Sequence, residues 1–138
     1  LTIFDEMRDK YSSIVLMGRS LGSGIAVQVA SKREMKRLIL VTPYDSIVAV
    51  AQAYYPWAPI PLLLKDPYDS KSIAGAVSES ALFLIAELDN IIPEIHSRNL
   101  ADVWKSELEW VKIKDSTHNS ISSFPQYWEA INNFLNSQ

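Results

Sequence analysis

Apolar positions along this chain fall into two alternating patterns, helical spacing and short continuous runs. That alternation predicts a mainly parallel sheet whose strands are joined by crossover helices. Ile3, Phe4, Met7 and Tyr11 lie at spacings that share one helical face, so residues 2–11 read as a short amphipathic helix. The run that starts at Ser13 and ends at Gly18 is nearly all apolar and has β-branched members, the pattern of a buried strand. Residues 21–32 read as a helix beginning in the small residues Gly22, Ser23, Gly24 and Ala26. Residues 37–42 are a second buried strand, ended by Pro43.

Between 44 and 80 the pattern is less regular. A helix fits 47–55, but Pro56, Pro59, Pro61 and Pro67 exclude a long element, and Tyr54, Tyr55, Trp57 and Tyr68 make the stretch aromatic. Residues 81–86 return to a strand, followed by a loop and a helix with Pro93 in its first turn. From 109 to 114, Trp110, Lys112 and Lys114 alternate with Val111 and Ile113, as in a half-exposed strand near a sheet edge. The last helix sets Phe124, Tyr127, Trp128, Ile131, Phe134 and Leu135 on one face. Four strands result, and their strand-to-helix loops emerge on one edge of the sheet, where such folds place ligands.

Composition narrows the function classes. With 48% hydrophobic and 21% charged residues among 138, the chain suits one globular domain. A net charge of −3 without a Lys/Arg cluster argues against nucleic acid as a partner. The absence of cysteine excludes disulfides and thiolate metal sites and fits a cytoplasmic location. Two histidines without cysteine argue against a zinc site, and Gly-Arg-Ser-Leu-Gly-Ser-Gly has neither phosphate-loop spacing, so no metal or cofactor is expected. No apolar run reaches the roughly 18 residues of a membrane span. The first ten residues lack the apolar stretch of a signal peptide, and a chain beginning at Leu1 is expected to have lost an upstream segment.

Gly18-Arg19-Ser20-Leu21-Gly22 matches G-x-S-x-G between a predicted strand and a predicted helix. Such a turn lifts the serine oxygen above the sheet, and glycine is expected at Gly18 and Gly22 because bulkier side chains there would collide with neighbouring backbone. The helix start aims its N–H groups, Leu21's among them, at the space where an oxyanion would form. Asp89 follows the third strand and His118 the fourth. An imidazole at His118 can take the Ser20 proton and return it to a leaving group, and a carboxylate at Asp89 can fix its tautomer. Glu87 and Asp102 are rival acids, and His96, sharing a helical face with Leu100 and Trp104, reads as structural.

Through Gly18 to Gly24, Leu88-Asp89-Asn90-Ile91-Ile92-Pro93 and Thr117-His118-Asn119, the chain resembles the α/β-hydrolase superfamily, most of all its small esterases and acyl-thioesterases. The resemblance covers essentially all 138 residues. It implies Ser20 as nucleophile, Asp89 as acid, His118 as base and the Leu21 N–H as an oxyanion donor. It also implies that the four strands are the fifth to eighth of the family's sheet, in the C-terminal part of a single domain. The N-terminal strands and the loop supplying the second oxyanion donor would then be absent. The expected function is hydrolysis of a small-molecule ester or thioester through an acyl-enzyme, weakened by truncation. The alternatives are a non-catalytic interaction module and a serine peptidase of the same fold. Ser13 to Gly18 would be an open edge, pairing with the missing segment or with a second copy.

Overall fold

The computed structural model describes residues 1–63 and 68–137. Residues 64–67, inside the aromatic and proline-rich segment, and Gln138 lie outside the described residues. The elements run α1 (Thr2–Lys10), β1 (Val15–Arg19), α2 (Leu21–Ala30), β2 (Arg37–Val41), α3 (Ile47–Tyr54), α4 (Ile60–Leu63), α5 (Ser70–Ile73), β3 (Ala81–Ala86), α6 (Glu94–Ala101), β4 (Leu108–Ile113) and α7 (Pro125–Asn136). Each predicted strand is present, shifted by at most two residues.

All four strands are parallel, in the order β1-β2-β3-β4. Because neighbours in sequence are neighbours in the sheet, the three crossovers pass over the same face. Odd and even positions of the central strands therefore feed two separate cores. Leu38, Leu40, Ala81, Phe83 and Ile85 pack under Ala26, Val27 and Ala30 of α2 and under Leu100 and Trp104. Ile39, Val41, Leu82 and Leu84 pack instead against Tyr127, Ile131 and Phe134 of α7. The central strands are covered on both faces, which is why β2 and β3 read as continuous apolar runs.

At the margins the sequence reading needs correction. β1, a buried strand by its apolar run but an open edge by the family resemblance, is an outer strand: it pairs on one side only, and Met17, in register with the buried Ile39, is 45% exposed. On the face of β1 turned towards the α7 side, Val15 and Met17 are exposed, with no buried apolar cover among the described residues. In α1 only Phe4 is buried, and Ile3 is 76% exposed, so the predicted apolar face is mostly uncovered. In α7, Trp128 points away from the core at 55% exposure, stacks edge-on against Tyr127 and donates its indole N–H to the Ser122 carbonyl. Pro93 stands one residue before α6, as its N-cap.

The sheet's carboxyl edge collects the residues that matter. Ser20 follows β1, Thr42 to Asp45 follow β2, Glu87 to Asp89 follow β3, and Asp115 to His118 follow β4.

Candidate active site

The turn after β1 is strained where the chemistry would need it. The Ser20 N–H adds one more rung to the β1–β2 ladder, donating to the Val41 carbonyl at 2.9 Å. The backbone then swings to φ 51°, ψ −124°, a conformation open to glycine but costly for a residue with a Cβ. α2 starts at the next residue, and Ser23 ties the turn down by donating its N–H (2.9 Å) and its hydroxyl (2.6 Å) to the Ser20 carbonyl. Leu21 is the first residue of α2, so its N–H lacks an acceptor within the helix.

The flanking glycines divide. A Cβ on Gly18 would lie 2.4 Å from the Gly22 carbonyl oxygen and 2.7 Å from the Ala26 Cβ, so helix and strand approach too closely for any side chain. Gly22 behaves otherwise: a Cβ there meets nothing within 4 Å, so the expected collision is absent. The second tight position is Gly24, where a Cβ would fall 2.2 Å from the Tyr44 hydroxyl. That hydroxyl donates to the Leu21 carbonyl at 3.2 Å and so props the first turn of α2. Burial, reinforced by Tyr68, pushes the Tyr44 phenol up to about 12, which keeps it a neutral donor.

The structure brings Ser20, His118 and Asp89 together across 98 residues of chain. His118 Nε2 is 3.0 Å from Ser20 Oγ, and His118 Nδ1 is 2.8 Å from Asp89 Oδ2. Both members of the His118–Asp89 pair have buried side chains. The other oxygen, Asp89 Oδ1, accepts the backbone N–H groups of Ile91 (2.9 Å) and Ile92 (2.8 Å), so the carboxylate cannot rotate away from the imidazole without losing both. Of the rival acids, Glu87 accepts the Asp115 N–H at 2.9 Å and Asp102 caps the end of α6. Glu87 thus steadies the loop that carries His118, at a residue with φ 58°. Leu88 adds to this by donating to the Ser116 carbonyl at 2.8 Å.

A second histidine–carboxylate pair lies outside this constellation. His96 is buried, as a structural histidine should be, and its Nδ1 is 2.9 Å from Asp45 Oδ1. Asp45, which sequence reasoning passed over, also accepts the Ser46 N–H (2.7 Å) and the Asn99 amide (2.9 Å). It therefore fastens the start of α3 to α6, the helix that follows the Asp89 loop. Its only sequence signal is a carboxylate just after a buried strand. Removing this acceptor strands two buried or half-buried side-chain donors and a backbone N–H. Asp45→Ala is expected to lower unfolding free energy by about 2–4 kcal/mol, and Asp45→Asn, which keeps an acceptor, by less. Urea denaturation checks this, and an Asp45→Ala midpoint equal to wild type would show that the cluster contributes no stability.

Among the described residues no cluster of histidine, aspartate and glutamate could hold a metal ion, and no helix is long and apolar enough to cross a membrane.

No protein-family model matches the chain. Over 106 residues (77% of the chain) it is 31% identical to an uncharacterized protein of Mycobacterium tuberculosis, covering 38% of that protein. Over 128 residues (88% of the chain) it is 31% identical to an uncharacterized membrane protein of Saccharomyces cerevisiae, covering 45% of it. The chain thus spans less than half the length of these curated relatives. Among solved structures, an alpha/beta hydrolase enzyme from a deep-sea metagenome library matches 99% of this chain with 71% of its own, at a TM-score of 0.75 and 15% identity. An acetyl xylan esterase from Paenibacillus (TM-score 0.70, 17% identity) covers 88% of this chain with 44% of its own. A monoacylglycerol lipase from Paleococcus ferrophilus (TM-score 0.64, 18% identity) covers 97% of this chain with 71% of its own. These neighbours are hydrolytic enzymes, and four parallel strands with their crossover helices give this chain part of the α/β-hydrolase fold.

Proposed function

We propose that this chain carries the catalytic centre of a serine hydrolase that cleaves a carboxylic ester or thioester through an acyl-enzyme, without a cofactor. The observation that carries the reading is the unbroken hydrogen-bond relay from Ser20 Oγ through His118 to Asp89. In that relay His118 Nε2 accepts the Ser20 proton while Oγ attacks the substrate carbonyl carbon. The tetrahedral oxyanion meets the Leu21 N–H at the start of α2. Collapse expels the alcohol or thiol, which takes the proton from His118. Water then enters, gives its proton to His118, and releases the acid as Ser20 regains its own.

An apolar acyl group fits the surroundings. Leu21, Leu88 and Ile91, beside the nucleophile and the acid, are exposed, and Tyr54 donates to the Ile91 carbonyl at 3.2 Å. That contact seats the end of α3 beside the acid loop.

We place the remainder of the domain outside these 138 residues, because the chain covers 38% and 45% of the curated relatives and β1 is an open edge. In this reading residues beyond the chain, or a second copy, pair with β1, and the second oxyanion N–H comes from outside. A panel of p-nitrophenyl acyl esters of graded length tests the function on the longer protein that contains this chain. Hydrolysis rising with acyl length is expected. The 138 residues alone should be slower by about 10²–10³, the usual consequence of one lost oxyanion donor. Absence of turnover of every ester and thioester by the longer protein would overturn the proposal.

A further inference from the structure

We propose that Arg19 is a positioning residue, whose guanidinium holds the loop carrying His118 against the nucleophile turn. This rests on the reading of Ser20 and His118 given above and adds a residue to it. Arg19 Nη2 donates to the His118 carbonyl oxygen at 2.7 Å and lies 3.5 Å from that of Asn119, a marginal contact. These atoms are 99 and 100 residues apart in sequence. Among the described residues, Arg19 forms no ion pair with a carboxylate. Its charge is directed at carbonyl oxygen instead, and a hydrogen bond from an ionised donor is shorter and stronger than a neutral one.

The position of the bond gives it a function. The loop after β4 is tied at its start to the loop after β3, through Glu87 to the Asp115 N–H and through Leu88 to the Ser116 carbonyl. Its far end is closed on itself by the Thr117 and Ser120 hydroxyls. Neither tie reaches β1. Among the described residues, only the His118–Ser20 contact itself and the Arg19 bonds connect this loop to the nucleophile strand by hydrogen bonds. Arg19 is the residue before the nucleophile, so it anchors the base to the same rigid strand end that presents Ser20 Oγ. A clamp of this kind fixes the separation of Nε2 and Oγ before substrate arrives, and misplacement by an ångström is costly in rate.

The test uses Arg19→Gln and Arg19→Lys in the longer protein containing this chain, with Ser20→Ala as the control. Arg19→Gln is expected to lower kcat about 10-fold while KM changes less than about twofold, because the loss falls on geometry at the reacting atoms. Arg19→Lys, which keeps a charged donor, should recover part of that loss. Backbone amide exchange provides a readout independent of turnover: Arg19→Gln should speed exchange in the peptide covering 115–121 and leave the peptide covering 81–86 unchanged. A Ser20→Ala protein as active as wild type would remove the serine mechanism, and the exchange result would then judge the clamp alone. Wild-type exchange at 115–121 in Arg19→Gln, or an undiminished kcat in an enzyme that Ser20→Ala inactivates, would overturn the role of Arg19.

Discussion

Replacing Ser20 with alanine is expected to reduce ester hydrolysis by the longer protein by about 10⁴–10⁶ and to abolish labelling by a fluorophosphonate, since no acyl-enzyme can form. His118→Ala should approach the same loss in turnover, because Ser20 Oγ would keep its proton, and should slow labelling strongly. The two effects should not add, as the residues act in one relay across 3.0 Å. Stability separates the substitutions at position 20. Ser20→Ala keeps a Cβ at φ 51° and should unfold near the wild-type denaturant concentration. Ser20→Gly loses the same activity but relaxes the turn, and should gain up to about 1–3 kcal/mol, the strain that such a conformation stores. Kinetics, mass-spectrometric labelling and urea melts of the three proteins examine this together. Labelling of Ser20→Ala at an unchanged rate would remove Ser20 from the mechanism.

Asp89→Asn is the second large effect, about 10²–10⁴ in kcat with the fold retained. The geometry supplies the reason. Asp89 Oδ1 accepts two backbone N–H groups, which an asparagine oxygen can also do, so the side chain should keep its place. Its amide nitrogen then faces His118 Nδ1 at the position now held by Oδ2. Two donors cannot share that contact, so Nδ1 must accept and the proton moves to Nε2. An Nε2 that carries the proton cannot take another from Ser20. Glu87→Gln keeps an acceptor for the Asp115 N–H, and Asp102→Asn lies at the end of α6, so both should remain within about 10-fold of wild type, well short of the loss from a misoriented base. Should either of them cause the large loss while Asp89→Asn stays near wild type, the acid has been misassigned.

Much of the fold was legible because burial on both faces leaves a local mark. β2 and β3 lie between α7 on one side and the crossover elements on the other, so all their positions but Arg37 are apolar, and the runs are visible without knowing any partner. The candidate site was legible for a related reason. Each of Ser20, Asp89 and His118 follows a strand visible in the apolar pattern, and the parallel topology implied by the alternation brings all strand ends to one edge. A G-x-S-x-G at the first of those ends is a local pattern with a local cause, the strained turn.

What only the tertiary structure decided depends on neighbours far along the chain. β1 has the same apolar character as β2, yet Met17 is exposed, because exposure is set by what lies beside a strand and over it. Gly22 and Gly24 look alike in sequence, but only Gly24 is crowded, by Tyr44 from the loop after β2. Thr42 adopts φ 47° with its hydroxyl buried, and nothing in its β-branched side chain suggests a left-handed backbone. Asp45 and His96, 51 residues apart, and Arg19 and His118, 99 apart, are ordinary polar residues until the fold joins them. Hydrophobic periodicity records how each segment divides its own surface between core and water. Pairing between polar groups is a property of two segments at once, and it is set by packing, which this sequence specified only through the fold as a whole.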